Sequence, residues 1–169
     1  MRTLSVVLVI GVVSGMFLMP GAAFAQKKDI WKIICTNKNA PKSCRIEQRL
    51  FLNKKVEGNQ KNVGQLLNVS VFYVGKAERK PFIVLQLPLG VDLQAGMVMQ
   101  IDKSRELKAP YMKCTNSGCE VRSLLNKDML AQLKRGENLK VGFRPYGSKK
   151  TMVVNASLSG FTKAYSRLE

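Results

Sequence analysis

Asp29-Ile-Trp-Lys-Ile-Ile-Cys35 and Arg45-Ile-Glu-Gln-Arg-Leu-Phe-Leu52 are the two segments that decide the fold. In the second segment the odd and even positions differ in character, with Ile46, Gln48, Leu50 and Leu52 alternating with Arg45, Glu47 and Arg49. Alternation with a period of two residues is typical of a strand buried on one face. Turn-forming residues fill the gap between Cys35 and Cys44. The two segments therefore predict a β-hairpin closed by a cysteine pair.

All four cysteines lie beside turn sequences, at Cys35, Cys44, Cys114 and Cys119. An even number of cysteines in an exported domain favours disulfides, and the neighbours along the chain are the preferred pairs. A four-thiolate zinc site is the alternative, but eight residues separate the first pair and zinc knuckles use two to four. A redox-active dithiol is disfavoured because the chain has no C-x-x-C motif. We expect structural disulfides Cys35–Cys44 and Cys114–Cys119, and no metal site.

The rest of the chain indicates about eight short strands, one inserted helix and a terminal helical segment. Asn126 and Gly136 are suited to begin and end the inserted helix. Ser157 or Ser159 is the expected cap of the terminal segment, which carries apolar residues at helical spacing up to Leu168. Residues 53–65 have turn composition and are predicted to form an exposed loop. This pattern is typical of a mainly β fold, an antiparallel β-sandwich.

Residues 1–25 have the layout of a secretory signal peptide, and residues 26–169 are predicted to form one domain. Arg2 precedes the 16-residue apolar run Leu4–Met19, and Ala23-Phe-Ala25 offers a cleavage site. A permanent membrane anchor is the alternative, but this run is shorter than the ~20 residues that span a bilayer. The sequence therefore predicts export to the periplasm, the outer membrane or the medium.

The composition excludes most hydrolase and metalloenzyme chemistry, because the 169 residues include no His. The carboxylates that remain as candidate acids or bases are Asp29, Glu47, Asp92, Asp102 and Asp128, and their spacing suggests no catalytic pair. We expect a protein that is not an enzyme and carries no cofactor.

The net charge is +17, from 28 Lys and Arg against 11 Asp and Glu. Dispersed charge can serve solubility alone, but basic clusters in turns can also attract a polyanion. The candidate polyanion-binding residues are Lys54, Lys55, Lys61, Lys76, Arg79 and Lys80. Outside the cytoplasm the partners would be acidic glycans or an anionic membrane surface. Nucleic acid is disfavoured because the aromatic residues fall on buried strand positions.

Six motifs in order resemble the invasion-associated locus B (IalB) family of exported bacterial proteins. They are Trp31-x3-Cys35, Cys44-x-Ile-Glu-Gln-Arg49, Leu87-Pro-Leu-Gly90, Tyr111-x-x-Cys114-x4-Cys119, Leu130-x-x-Leu133-x-x-Gly136 and Ser157-Leu-Ser-Gly-Phe-x-x-Ala-Tyr165. The resemblance spans Trp31 to Tyr165 and implies an Ig-like β-sandwich. It also implies a non-enzymatic virulence role in the interaction with, or entry into, host cells such as erythrocytes. The four cysteines are the only functional set that it carries over.

Two functional hypotheses from different classes remain open at this point. One is an exported invasion factor that binds a host surface through its basic residues. The other is a periplasmic or envelope-associated housekeeping domain with no host partner, and the sequence alone does not separate them.

The position of the signal peptide predicts that the mature chain begins at Gln26. Intact-mass measurement of the exported protein checks this, because loss of residues 1–25 also removes Arg2 and leaves 27 basic against 11 acidic residues, a net charge of +16. An exported species that retains Met1 would instead identify the apolar run as an anchor.

Overall fold

The computed structural model describes residues 30–37, 43–56, 59–75 and 77–168, with backbone alone at 54–56, 59 and 60. The predicted signal peptide, residues 1–25, lies outside the described residues. Within the described part no helix is long and apolar enough to cross a membrane.

Ten strands and two helices follow one another along the described chain. Their bounds are β1 Lys32–Cys35, β2 Cys44–Val56, β3 Asn59–Val74, β4 Lys80–Leu87, β5 Met97–Ile101, β6 Leu107–Ala109, β7 Lys113–Thr115, β8 Gly118–Leu124, α1 Lys127–Arg135, β9 Asn138–Phe143, β10 Met152–Ser157 and α2 Phe161–Tyr165.

The strands form two antiparallel sheets, which confirms the predicted β-sandwich. One sheet has the order β1-β2-β3-β4-β8-β7 and the other has the order β10-β9-β5-β6. Alternate residues of both sheets are buried in one hydrophobic core, because every second side chain of a strand points to the same face. Central members of this core are Ile46, Val69, Val71, Leu85, Met97, Leu139, Val141 and Ala156.

The prediction of a loop at residues 53–65 was wrong at 53–56 and 59–65, which continue strands β2 and β3, whereas residues 57 and 58 lie outside the described residues. The two strands pair from Arg45 opposite Phe72 to Val56 opposite Asn59, with irregularities after Leu50 and after Leu52. Strand β1 pairs with β2 only as far as Glu47, and β4 pairs with β3 only from Asn68 onward. Residues 51–56 and 59–65 therefore form a ribbon of two strands to which no other described strand pairs, and we call this ribbon the arm.

Both predicted helices are present. The side chain of Asn126 accepts a hydrogen bond of 2.8 Å from the backbone N–H of Met129 at the start of α1, and Gly136 follows its last turn. Helix α2 is only five residues long, and its cap is Gly160 in a left-handed conformation rather than Ser157 or Ser159. Ser157 is instead the last residue of β10.

Helix α2 closes one edge of the sandwich with aromatic contacts. The Phe161 ring lies 5.0 Å from the Trp31 ring in an edge-to-face arrangement and stacks on Tyr165. The Tyr165 hydroxyl forms a 2.7 Å hydrogen bond with the hydroxyl of Tyr73 in β3. Because Phe161 and Tyr165 are fully buried, α2 is held by packing although it is too short to be stable alone.

The Glu47-Gln48-Arg49 motif sends its side chains to both faces of β2. Glu47 is buried on the outer face, 3.2 Å from Nε of Arg45 and 2.8 Å from Nε of Arg49. Gln48 points inward and reaches the backbone of Ser157 in the other sheet. Its amide nitrogen donates to the Ser157 carbonyl at 2.8 Å, and its oxygen accepts from the Ser157 N–H at 3.0 Å.

Both cysteine pairs lie at disulfide distance in the expected connectivity. The sulfur atoms are 2.00 Å apart in Cys35–Cys44 and 2.07 Å apart in Cys114–Cys119. The second pair joins β7 to β8 around a turn that ends at Gly118, where φ is 129° and an added Cβ would lie 2.2 Å from the Leu87 carbonyl oxygen. Glycine is therefore required at this turn.

We predict that Gln48→Ala lowers the free energy of unfolding by about 2–4 kcal/mol, because it leaves a backbone N–H at the sheet interface without its partner. Urea unfolding followed by circular dichroism measures the loss. Gln94→Ala is the control, since Gln94 is an exposed loop residue and its loss should change stability by less than about 0.5 kcal/mol. Equal stability of the two variants would contradict the importance of the contact.

Candidate binding surface

The arm carries the first group of sequence-predicted basic residues. The register places Lys54 of β2 directly opposite Lys61 of β3, and Lys55 opposite Gln60. Lys61 is exposed, as are the apolar arm residues Phe51, Leu52 and Val63. Like charges at directly opposite positions destabilise a strand pair. The arm is thus a ribbon with lysines at directly opposite backbone positions.

The second predicted group lies at the opposite end of β3. Lys76 is outside the described residues, whereas Arg79 and Lys80 lie at the turn into β4. Arg79 is 4.6 Å from the centre of the Tyr73 ring, and Lys80 is 3.4 Å from the carboxylate of Glu78. At about 3.3 Å per strand residue, this turn is roughly 40 Å from Lys61. The two groups therefore do not form a single face.

Other segments meet the arm at the same end of the sandwich. Strand β4 ends and β5 begins there, which places the connecting loop 88–96 at that end. The turn 144–151 between β9 and β10 lies beside it, because Phe143 pairs with Met97 and with Met152. We call the arm, loop 88–96 and turn 144–151 together the arm end.

Loop 88–96 and turn 144–151 are joined by backbone hydrogen bonds. The N–H of Tyr146 donates to the Gly90 carbonyl at 2.7 Å, and the N–H of Asp92 donates to the Arg144 carbonyl at 2.8 Å. Gly90 has a φ of 83°, a conformation that favours glycine. The two segments are therefore paired along three consecutive residues.

Asp92 adds a side-chain clamp to this pairing. One carboxylate oxygen accepts from the backbone N–H groups of Gln94 and Ala95, each at 3.1 Å. The other oxygen accepts from Nε and Nη2 of Arg144, at 3.0 and 2.8 Å. The Ala95 N–H and then the Arg144 guanidinium hold the pKa of Asp92 below its ordinary value. The charge of Arg144 is consequently neutralised locally.

Tyr111 lies near this clamp. Burial, and to a lesser extent the Asp92 carboxylate, raises the pKa of Tyr111 to about 12. The phenol therefore stays uncharged at neutral pH and adds no negative charge to the arm end.

Lys149 and Lys150 are the basic residues that the sequence-based selection missed. Both are exposed in turn 144–151, and neither forms an ion pair with another described residue. The signal for their position was the Pro145-Tyr-Gly147 turn just before them. Nothing in the sequence indicated that this turn and the arm share one end of the sandwich.

The candidate carboxylates that the structure describes contact arginines or backbone N–H groups, or lie at the start of a helix. Glu47 is buried between two arginines, and Asp92 is bound by Arg144. Asp102 accepts hydrogen bonds from the backbone of Glu137 and Asn138, and Asp128 lies in the first turn of α1. Asp29 is outside the described residues. In the part of the chain that the structure describes, no group of acidic or sulfur side chains could hold a metal ion.

Comparison with known proteins identifies the family. A family model described as "Invasion associated locus B (IalB) protein" matches residues 31–169. The chain belongs to the IalB family. This family is named for invasion rather than for an enzymatic reaction.

Two curated IalB relatives are invasion protein B homologues of Brucella abortus, from strain 2308 and from biovar 1 strain 9-941. Each is 24% identical over 153 residues, which cover 89% of this chain and 83% of the relative. The crystal structure of invasion associated protein B from Bartonella henselae is similar with a TM-score of 0.62 at 21% identity. The match covers 83% of this chain and 92% of that one. The sandwich is thus the fold of a solved IalB protein.

We predict that Asp92→Asn destabilises the protein at neutral pH and that this loss shrinks as the pH falls. A carboxylate with a lowered pKa in the folded state stabilises the fold above its unfolded pKa, near 3.8. That contribution disappears as the pH falls through the folded pKa. Urea unfolding at about pH 7 and about pH 3 measures the difference.

Glu106→Gln is the control for this prediction, because Glu106 is exposed and forms no ion pair with a described residue. A loss of stability in Asp92→Asn that is independent of pH would show that the carboxylate charge does not hold the loop.

Proposed function

We propose that this IalB protein is an exported, non-enzymatic invasion factor that binds acidic glycans of the host-cell surface, such as that of erythrocytes, through the basic arm. The observation that carries the proposal is the register of the arm, which places Lys54 opposite Lys61 on a ribbon that has no third strand. Export is supported by the two disulfides and by the family.

The cross-strand lysines are the first argument for an anionic ligand. Directly opposite like charges oppose strand pairing, and an anion bound between them removes this repulsion. A sulfate or carboxylate of a glycan supplies such an anion. Binding and ordering of the arm therefore stabilise each other, because two strands alone are marginally stable in water.

The shape of the arm is the second argument. Among the described residues its backbone pairs only within the ribbon, and residues 51–53 and 61–64 are exposed. Lys55, opposite Gln60, falls on the alternate position to Lys54. The register thus gives the arm lysines at two successive positions of β2 and at one position of β3.

Arg79, Lys80 and Lys76 are expected to contribute less to glycan binding. Arg79 is engaged with the Tyr73 ring, and Lys80 faces a carboxylate of Glu78. Arg79 and Lys80 also lie at the other end of β3, so a short glycan does not reach both groups.

We predict that the triple variant Lys54→Gln/Lys55→Gln/Lys61→Gln weakens binding to immobilised heparin and to erythrocytes roughly tenfold to 100-fold at low salt. Its melting temperature should change little, because a Lys→Gln change removes no apolar contact from the core. Wild-type binding should also fall steeply as salt is added. Surface plasmon resonance on heparin and flow cytometry on cells give the two measurements.

The matched control is Lys103→Gln/Arg105→Gln/Lys127→Gln, which removes the same charge from exposed positions away from the arm. A second comparison is Lys76→Gln/Arg79→Gln/Lys80→Gln. If the arm variant and the control bind alike, or if the wild type does not bind at low salt, the proposal is wrong. Protease accessibility on intact cells tests export to the surface, since a periplasmic domain is protected.

A further inference from the structure

Loop 88–96 and turn 144–151 expose three large apolar side chains that the glycan proposal does not use. Leu89 and Leu93 of loop 88–96 are 57% and 55% exposed, and Tyr146 of turn 144–151 is 83% exposed. Single exposed apolar residues are ordinary, but a group on two joined segments marks an interaction site.

The backbone that carries these residues is held in place. Val91, between the two leucines, is buried in the core and bridges to Pro145. The Asp92 carboxylate ties both Arg144 and the loop backbone, as described above. The backbone contacts between the loop and the turn therefore hold Leu89, Leu93 and Tyr146 in exposed positions.

The surroundings of this apolar group are basic. Lys149 and Lys150 follow Tyr146 in the same turn and are free of ion pairs among the described residues. The acidic residue of the two segments, Asp92, is already neutralised by Arg144. A partner of this surface must therefore present apolar groups together with negative charge.

We propose that loop 88–96 and turn 144–151 form a membrane-docking tip, in which Leu89, Leu93 and Tyr146 insert into the surface of an anionic phospholipid bilayer. Lys149 and Lys150 then contact the headgroup phosphates. Leucine side chains enter the acyl boundary, and the amphipathic ring of Tyr146 suits the headgroup level.

A second copy of the chain fits this tip less well than a bilayer does. Tip-to-tip contact of two copies brings Lys149 and Lys150 of one copy close to those of the other, with no free carboxylate on either tip. Three side chains also bury far less than the ~800 Å² per partner of a stable protein interface. The charge and the size of the tip both favour lipid.

The experiment uses the mature protein with phosphatidylcholine vesicles and with vesicles that also contain phosphatidylglycerol. Tyr146→Trp adds a reporter, since the native Trp31 is buried beside α2 and gives a constant background. We expect co-sedimentation with the anionic vesicles, a blue shift of the new tryptophan, and quenching by brominated acyl chains.

Variants separate insertion from charge attraction. Leu89→Ser and Leu93→Ser should each lower the vesicle partition coefficient about tenfold, and Lys149→Gln/Lys150→Gln should lower it by roughly 30-fold. Leu124→Ser is the matched control, because Leu124 is 52% exposed but lies at the opposite end of the sandwich. The control should bind as the wild type does.

Three results would overturn the docking tip. They are absence of binding to the anionic vesicles, binding without a spectral shift of Tyr146→Trp, and equal binding of Leu89→Ser and Leu124→Ser. A dimer in solution that Leu89→Ser dissociates would assign the tip to a second copy instead. The arm variant should lose heparin binding and still insert into vesicles, so failure of one proposal is distinguishable from failure of the other.

Discussion

The contact between Gln48 and the backbone of Ser157 is the constraint on which the arrangement of the two sheets depends. Apolar packing between sheets is strong but not directional, so it tolerates small changes of alignment. The side chain of Gln48 is only 3% exposed and satisfies both the N–H and the carbonyl of Ser157. Trp31 donates a further hydrogen bond to the same carbonyl at 3.0 Å. A shift of one sheet relative to the other would leave these polar groups buried without hydrogen-bond partners, and this lowers the stability of the shifted arrangement.

The contact between Gln48 and Ser157 also lies near the end of the sandwich that α2 covers, and the arm end is not covered by a helix among the described residues. Because Ser157 ends β10, its position sets where α2 begins and brings Phe161 and Tyr165 against Trp31 and Tyr73. Aromatic packing then closes this side of the core. At the arm end the strands finish in loops whose apolar tips face solvent, and the ribbon extends beyond the sheet. The stabilising contacts and the exposed basic and apolar groups thus occupy different parts of one small domain.

Alternation made much of the fold predictable from the sequence, and its failures have physical causes. Ile46 and Leu50 indicated the buried face of β2 because burial imposes a period of two. The arm was predicted as a loop because its strand pairing is made by the backbone, which leaves no hydrophobic pattern in residues 53–65. The alternation with Ile46 and Leu50 placed Gln48 on the inward face of β2. Its partner Ser157 lies 109 residues away, and no local sequence pattern indicates this contact.

The candidate site was predictable only in part for the same reason. The lysines of the arm were chosen by their clustering, which a sequence displays directly. The distance of these lysines from Arg79 depends on the length of β3. Their position at the same end of the sandwich as Lys149 depends on how the two sheets are connected. Asp92 and Arg144 are 52 residues apart in the sequence, so their pairing appears only once β5 and β9 are adjacent.

The closed edge also has a mechanical consequence. Ile30 and Arg167, near the two ends of the described chain, line the same small cavity together with Trp31 and Ala164. A pulling force applied between these ends acts first across the contact of α2 with Trp31 and bypasses the strand pairs of both sheets. Under tension α2 would separate from Trp31 before the strands of the sandwich separate. Loop 88–96 and turn 144–151, at the other end of the molecule, would keep their structure while this contact breaks.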